Sequence, residues 1–199
     1  MFELGEYGQI LGILAGALMF ASYLFYIAAI LRGTTKPNRA TWFMLATISF
    51  VIALSYHEVG AENTWWVAGG ASLGTFLVAL LSITKGTGGW GRLDRLCILV
   101  AFGSLAIYVL SSDPLITLML ILLMDGAAMA PTIHHAYIAP DEEDTLAWTL
   151  TSIADLLAII VIERWTVDIA VYPIYMLLIN GSIVFLLLLP RLKRMIRSK

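Results

Sequence analysis

The chain has 199 residues, of which 60% are hydrophobic and 13% are charged, and its formal net charge is −2. Soluble domains carry about 25% charged residues, so this composition excludes an ordinary soluble protein and indicates that most of the chain lies in a lipid bilayer. The net charge offers no attraction for nucleic acid, and the single cysteine, Cys97, excludes an internal disulfide and a cysteine-built metal site.

Seven apolar stretches are predicted to cross the membrane. A transmembrane helix needs about 20 mostly apolar residues, and the bilayer core offers no partners to backbone groups, so such stretches must be helical. The shorter ones must recruit flanking residues. In chain order the stretches are 7–31, 40–56, 63–84, 96–112, 115–133, 146–162 and 169–190. We therefore predict an all-α membrane protein of seven transmembrane helices, forming a single membrane domain over residues 1–199.

The basic residues predict the orientation of these helices. Eleven of the twelve Lys and Arg residues follow the first, third or seventh stretch, and only Arg164 lies on the other side. By the positive-inside rule, the amino terminus lies outside and the basic tail 191–199 lies in the cytoplasm. The residues before the first stretch are acidic, unlike those of a signal peptide. We expect an integral protein of the plasma (inner) membrane.

Two loops suggest an internal duplication. Residues 34–42 and 138–148 each follow an odd-numbered stretch, contain a proline and end on a tryptophan that opens the next helix. This similarity predicts two parallel three-helix repeats, 7–84 and 115–190, joined by an inverting linker helix, 96–112; repeats of this kind are common in transporters. The alternative is chance, because prolines occur in loops and tryptophans at membrane interfaces.

This 3+1+3 layout resembles the SWEET and PQ-loop superfamily, which includes the nicotinamide riboside transporters and the KDEL receptors. Of the family's Pro-Gln motif, Ala130-Pro131-Thr132 retains the proline and lacks the glutamine. The resemblance implies a transporter fold and leaves the solute open. In the sugar transporters of this family, an asparagine in the last helix of each repeat contacts substrate. Asn180 matches one of these asparagines, whereas Gly74 departs from the pattern.

Three polar residues are predicted near the bilayer centre: Asp125, Asp155 and Asn180. At a rise of about 1.5 Å per residue, each lies about halfway along its stretch. No Lys or Arg lies at this depth, so each carboxyl group must be protonated, hydrated or neutralised by something bound. Intramembrane acids are functional by default. The alternatives are a protonated structural acid and, for Asn180, a bridge between packed helices.

The neighbours of these residues complete the predicted site. Thr132 shares a helix face with Asp125, as Thr151 and Ser152 do with Asp155, and the repeat alignment pairs Asp125 with Ser22, Asp155 with Ser49 and Asn180 with Gly74. We predict that the solute contacts Asp125, Asp155, Asn180, Thr132, Ser22 and Ser49. We predict proton coupling through Asp125 and Asp155. Pro131 and Pro173 are the predicted hinges, with tolerated kinks as the alternative.

These residues favour a transporter of a small polar solute that works by alternating access, with cationic solutes and proton coupling among the options. The alternative is a binding or regulatory membrane protein without transport, as the KDEL receptors are. No metal motif, nucleophile pair or phosphate loop supports an enzyme, and we predict no cofactor. The adjacent His134 and His135 point about 100° apart on a helix, which disfavours a metal site. Homo-oligomerisation stays open.

Overall fold

The computed structural model describes residues 5–33, 35–88, 91–138, 140 and 143–197. Within them, the side chains of residues 5, 6, 93, 131, 135 and 191–197 lie outside the description. Seven helices and no strands occur in the described part. They are α1 (Gly5–Leu31), α2 (Arg39–Glu58), α3 (Trp65–Lys85), α4 (Arg92–Leu110), α5 (Pro114–Ile138), α6 (Thr145–Ile160) and α7 (Val167–Arg197). The prediction of an all-α protein is confirmed.

Five of these helices, α1, α2, α3, α5 and α7, are long and apolar enough to cross a membrane. α6 has only 16 residues, and α4 carries Arg92, Asp94 and Arg95 at its start. Large apolar side chains point outward, such as Leu123 and Leu178, which are 72% and 69% exposed. Exposed side chains of this kind are stable in lipid rather than in water, so the helices are compatible with an integral membrane protein.

The helices differ from the predicted stretches mainly at their ends. α4 begins at Arg92 rather than at residue 96, and α5 continues to Ile138. α7 includes Pro190 and continues to Arg197, so most of the predicted basic tail is helical. Hydropathy alone misses these extensions because the added residues are polar or charged although the backbone hydrogen bonding continues.

We describe the helix packing in two groups, which we call the first triplet (α1–α3) and the second triplet (α5–α7). In the first triplet α3 contacts both α1 and α2, and in the second α7 contacts both α5 and α6. Between the triplets, α1 contacts α6 and α2 contacts α5, while α4 packs against α2 and α5. A smaller contact joins α3 to α6. If α1 is matched with α5 and α2 with α6, the two larger contacts between the triplets exchange with each other.

The second helix of each triplet begins with the same cap. The side chain of Asn38 accepts a hydrogen bond from the backbone N–H of Thr41 at 2.9 Å, and Asp144 accepts one from that of Ala147 at 3.1 Å. Each bond satisfies a backbone donor that the first helical turn leaves unpaired. The spacing from Asn38 to Asp144 equals the spacing from Trp42 to Trp148, so the caps agree with the register predicted from the loops.

The two triplets are tied together at one end by a set of contacts that we call the clasp, formed by residues 59–64 and 161–164. The carboxylate of Glu163 accepts from the backbone N–H of Glu62 at 2.6 Å. The Arg164 guanidinium donates to the carbonyls of Val59 and Gly60 at 3.2 and 3.4 Å. At the opposite end, Arg39 donates to the carbonyl of Ser82 at 3.1 Å, a contact made within the first triplet.

Candidate functional site

Asp155 and Asn180 form a buried pair between α6 and α7. The Asn180 side-chain amide donates to Oδ2 of Asp155 at 2.7 Å, and the two residues are 0% and 2% exposed. Two of the six predicted binding residues are therefore in direct contact. A donor on one carboxylate oxygen stabilises the ionised form in part, because burial away from water is costly for an unpaired charge.

The other oxygen of Asp155 is incompletely bonded. In the described part of the chain, no protein group hydrogen-bonds to Oδ1 of Asp155 or to Oγ of Ser152, although both atoms are buried. The neighbouring Thr151 is different, because its hydroxyl donates to the carbonyl of Ala147 at 3.0 Å. Buried polar atoms in native proteins nearly always have a partner, so these two oxygens require an explanation.

Asp125 has a different partner. The hydroxyl of Tyr175 on α7 donates to Oδ2 of Asp125 at 2.9 Å, and Asp125 is 8% exposed. The hydroxyl fits closely beside α5, because a Cβ on Gly126 would lie 3.2 Å from it. Sequence reasoning missed Tyr175. The available signal was its position on α7 between Pro173 and Asn180, within the same predicted span.

Tyr23 on α1 packs close to the helix that carries Asp155. Its ring lies against a buried cluster of side chains from α1, α3 and α6, which includes Ala154 and Ala158. Tyr23 belongs to the first triplet and Asp155 to the second. The helix α6, with its buried carboxyl group, therefore packs against the other triplet.

The position of Tyr23 depends on Gly74. A Cβ on Gly74 would lie 2.3 Å from the Tyr23 ring, so only glycine leaves room for the ring against α3. The ring also meets Trp42 edge to face, with the ring centroids 6.5 Å apart. The repeat alignment pairs Gly74 with Asn180, so the first triplet has an aromatic ring against α3 where the second has an amide on α7.

The other predicted residues are less closely involved. The Ser22 hydroxyl donates to the carbonyl of Met19 on its own helix at 2.6 Å and is buried. Ser49 and Thr132 are half-buried. Pro173 is buried within α7. Pro131 lies within α5, but its side chain is outside the described residues. Ser22 thus satisfies its hydroxyl locally, whereas the binding roles predicted for all of these residues remain predictions.

The chemistry of the site is that of two acidic groups with different partners, Tyr175 for Asp125 and Asn180 for Asp155. Among the described residues, no three His, Cys, Asp or Glu side chains converge as metal ligands would. The arrangement can hold protons on carboxyl groups and accept hydrogen bonds from a bound molecule. Searches against protein-family models, curated proteins and solved structures found no match for this chain.

Proposed function

We propose that this chain is a membrane transporter of a small polar solute, working by alternating access between the two triplets. The observation that carries the proposal is Asp155, a fully buried carboxyl group near the junction of the triplets with one oxygen unbonded by the described protein groups. A structural acid in a membrane would be expected to satisfy both oxygens within the protein. Intramembrane carboxyl groups that do not are characteristic of solute or proton pathways.

The packing supports a 3+1+3 arrangement of seven spans. Each triplet has its third helix between the other two, and the contacts between the triplets, α1 with α6 and α2 with α5, are reciprocal. The equivalent caps at Asn38 and Asp144 add to this support. A short helix such as α6 spans the bilayer only with its flanking loop residues or with local thinning of the membrane. This arrangement agrees with the resemblance to the SWEET and PQ-loop superfamily.

The clasp gives the proposal a mechanism. With the amino terminus outside, the clasp lies at the external face and holds the triplets together there. Closing one end and opening the other is the essence of alternating access around a fixed central site. In the proposed cycle, the clasp opens when the site faces outward, and proton transfer at Asp125 or Asp155 accompanies solute movement.

The test begins with a thermal-shift screen of small polar solutes against the purified full-length protein. A solute that stabilises the wild type is then measured for counterflow into proteoliposomes. We expect counterflow in the wild type and its loss in Asp155→Asn. The matched control is Asp168→Asn, which removes a carboxylate from the first turn of α7, away from the central pair.

Two outcomes would reject transport. Solutes that bind without any counterflow would favour a receptor-like protein that binds without transport. Equal counterflow in the wild type and Asp155→Asn would remove the central pair from the mechanism. Orientation is tested separately by cysteine labelling in a Cys97→Ala background. An external reagent should reach position 62 and not position 36, and the reverse pattern would invert the topology.

A further inference from the structure

The two unbonded oxygens of α6 lie on one face of the helix. Ser152 and Asp155 are three residues apart, a spacing that brings side chains together on a helix surface. We propose that Oδ1 of Asp155 and Oγ of Ser152 bind a primary ammonium group of the transported solute. The inference rests on the proposed transport function and narrows its substrate class to amines.

Oδ1 of Asp155 needs a hydrogen-bond donor. An ionised carboxylate only accepts hydrogen bonds, and Oδ1 has no donor among the described residues. If Asp155 carries its proton on Oδ1, the new O–H group needs an acceptor instead. Both protonation states therefore leave a buried polar group unsatisfied, which is unfavourable. A bound molecule that supplies N–H groups removes this cost.

The ionised Asp155 carboxylate also needs a positive charge nearby. The sequence has no Lys or Arg between Arg39 and Lys85, between Arg95 and Arg164, or between Arg164 and Arg191. The spanning segments thus contain no cation to pair with Asp155. Asn180 supplies a neutral amide to Oδ2, which provides a hydrogen bond without neutralising the charge. A cationic solute would supply what the protein lacks.

A primary ammonium fits the two oxygens better than other cations do. An ammonium group has three N–H donors, enough for Oδ1, for Ser152 Oγ and for one further contact. Tyr23 packs against a buried cluster that includes Ala154, the residue before Asp155, and aromatic faces attract cations. A quaternary ammonium has no N–H to donate. Calcium and magnesium need about six oxygen ligands, more than these two side chains provide.

Asp125 is the natural comparison, because it is the other buried carboxyl group of the second triplet. Its Oδ2 accepts from Tyr175 and the residue retains slight exposure, and neither of its oxygens is among the buried, unpartnered atoms of the described residues. In this scheme Asp125 is available for proton coupling, whereas Asp155 holds the solute. The two acids, which sequence reasoning treats alike, then have separate roles.

The experiment measures binding to the full-length protein in lipid nanodiscs by titration calorimetry. The probes are propylammonium and 1,4-diaminobutane, with tetramethylammonium and 1-propanol as controls for charge without N–H and for shape without charge. We expect saturable binding of the two primary amines alone. Asp155→Asn should weaken binding about 100-fold and Ser152→Ala about tenfold, as expected for lost hydrogen bonds to a charged group.

Matched variants keep the result interpretable. Ser152→Thr retains the hydroxyl and should retain most of the affinity lost in Ser152→Ala, and this pair decides the matter if Asp155→Asn does not fold. Asp168→Asn, in the first turn of α7, should bind the amines within about twofold of the wild type. Absence of saturable amine binding, or equal binding of tetramethylammonium, would overturn the inference. If amines did not bind but another solute showed counterflow, the proposed transport function would still hold. If amines bound without counterflow, the amine site would be supported and the proposed transport function rejected.

Discussion

The first and second triplets pack in the same order and carry different chemistry at matching positions. The second triplet places Asp155, Asn180 and Asp125 in its interior, and the first has Ser49, Gly74 and Ser22 in the aligned places. The consequence is visible at Gly74, where the absence of a side chain admits the ring of Tyr23. The second triplet thus supplies the acids, and the first supplies the aromatic ring of Tyr23.

This difference shows how two triplets with the same packing order can differ in charge. If both triplets carried acids at these positions, four carboxyl groups would be buried, and like charges in a medium of low dielectric repel strongly. Acids in one triplet only, with an uncharged tyrosine in the other, reduce this repulsion.

The largest effect is expected from fixing the clasp closed. In a Cys97→Ala background, cysteines at positions 62 and 163 are bridged by a short bifunctional thiol reagent, because the two residues are in contact. If the triplets must separate at this end during each cycle, the bridge should abolish counterflow completely. The measurement is counterflow in proteoliposomes before and after bridging.

The controls for the bridge are the two single-cysteine proteins and a cleavable version of the reagent. Each single-cysteine protein should keep its activity after treatment, and cleavage should restore the bridged protein. Full counterflow with the bridge intact would mean that the clasp is a fixed structural contact and that the triplets move elsewhere.

The next largest effect is expected at Gly74. A leucine there would place its Cβ 2.3 Å from the Tyr23 ring, and overpacking of this kind costs about 1–3 kcal/mol or more. We expect Gly74→Leu to lower the free energy of unfolding by at least that amount, measured by chemical denaturation in detergent. The matched control is Gly181→Ala beside Asn180, where the nearest atom to the new Cβ lies 4.0 Å away. If both variants were equally stable, the Tyr23 ring would be free to move, and its position would not depend on Gly74.

A smaller effect is expected at Tyr175. Tyr175→Phe removes the hydrogen bond to Oδ2 of Asp125 and leaves the ring in place. Loss of a buried hydrogen bond to a carboxyl group should cost about 1–3 kcal/mol, seen as a lower midpoint of unfolding. Tyr7→Phe is the control, because Tyr7 is 76% exposed. We expect Tyr7→Phe to leave the midpoint of unfolding unchanged. If Tyr175→Phe also left it unchanged, the stability of the protein would not depend on this hydrogen bond to Asp125.

The helices follow from the sequence because long apolar stretches allow only one backbone solution in lipid. The depths of Asp125, Asp155 and Asn180 follow from counting residues along those helices, and the structure does bring Asp155 and Asn180 together. The partners follow less well. A helix that is apolar on all sides gives no signal for its rotation about its own axis, so the sequence could not distinguish a bond from Asp125 to Asn180 from the observed bond to Tyr175.

The position of Tyr23 could not be predicted from the sequence either. Pairing Gly74 with Asn180 revealed a missing side chain, and close packing requires that a neighbour fill such a space. The sequence does not say which neighbour, because Tyr23 and Tyr26 both lie on α1 near α2. Both stand close to Trp42, and the crossing of α1 over α3 decides which of them covers the glycine.

The smallest effect is expected at Arg164, and it sharpens the comparison between the triplets where they meet. The guanidinium of Arg164 donates to two backbone carbonyls of the first triplet, but it is exposed to solvent. Exposed polar contacts contribute little to stability, about 0–1 kcal/mol, so Arg164→Ala should barely change the midpoint of unfolding. The clasp should nonetheless open more often, because the hydrogen bonds of Glu163 and Asn63 would then hold the two loops without the guanidinium. The parent protein for this test carries a cysteine in place of Thr64, a buried clasp residue whose hydroxyl donates to Glu163 at 3.4 Å. This cysteine should react with a thiol reagent faster, by about twofold to fivefold, when Arg164→Ala is added to the parent protein. Arg164→Lys keeps the charge but loses the forked donor geometry, and it should fall between the two. If the reaction rate at position 64 were the same in all three proteins, the guanidinium would not contribute to closing the clasp, and the tie between the triplets would rest on Glu163.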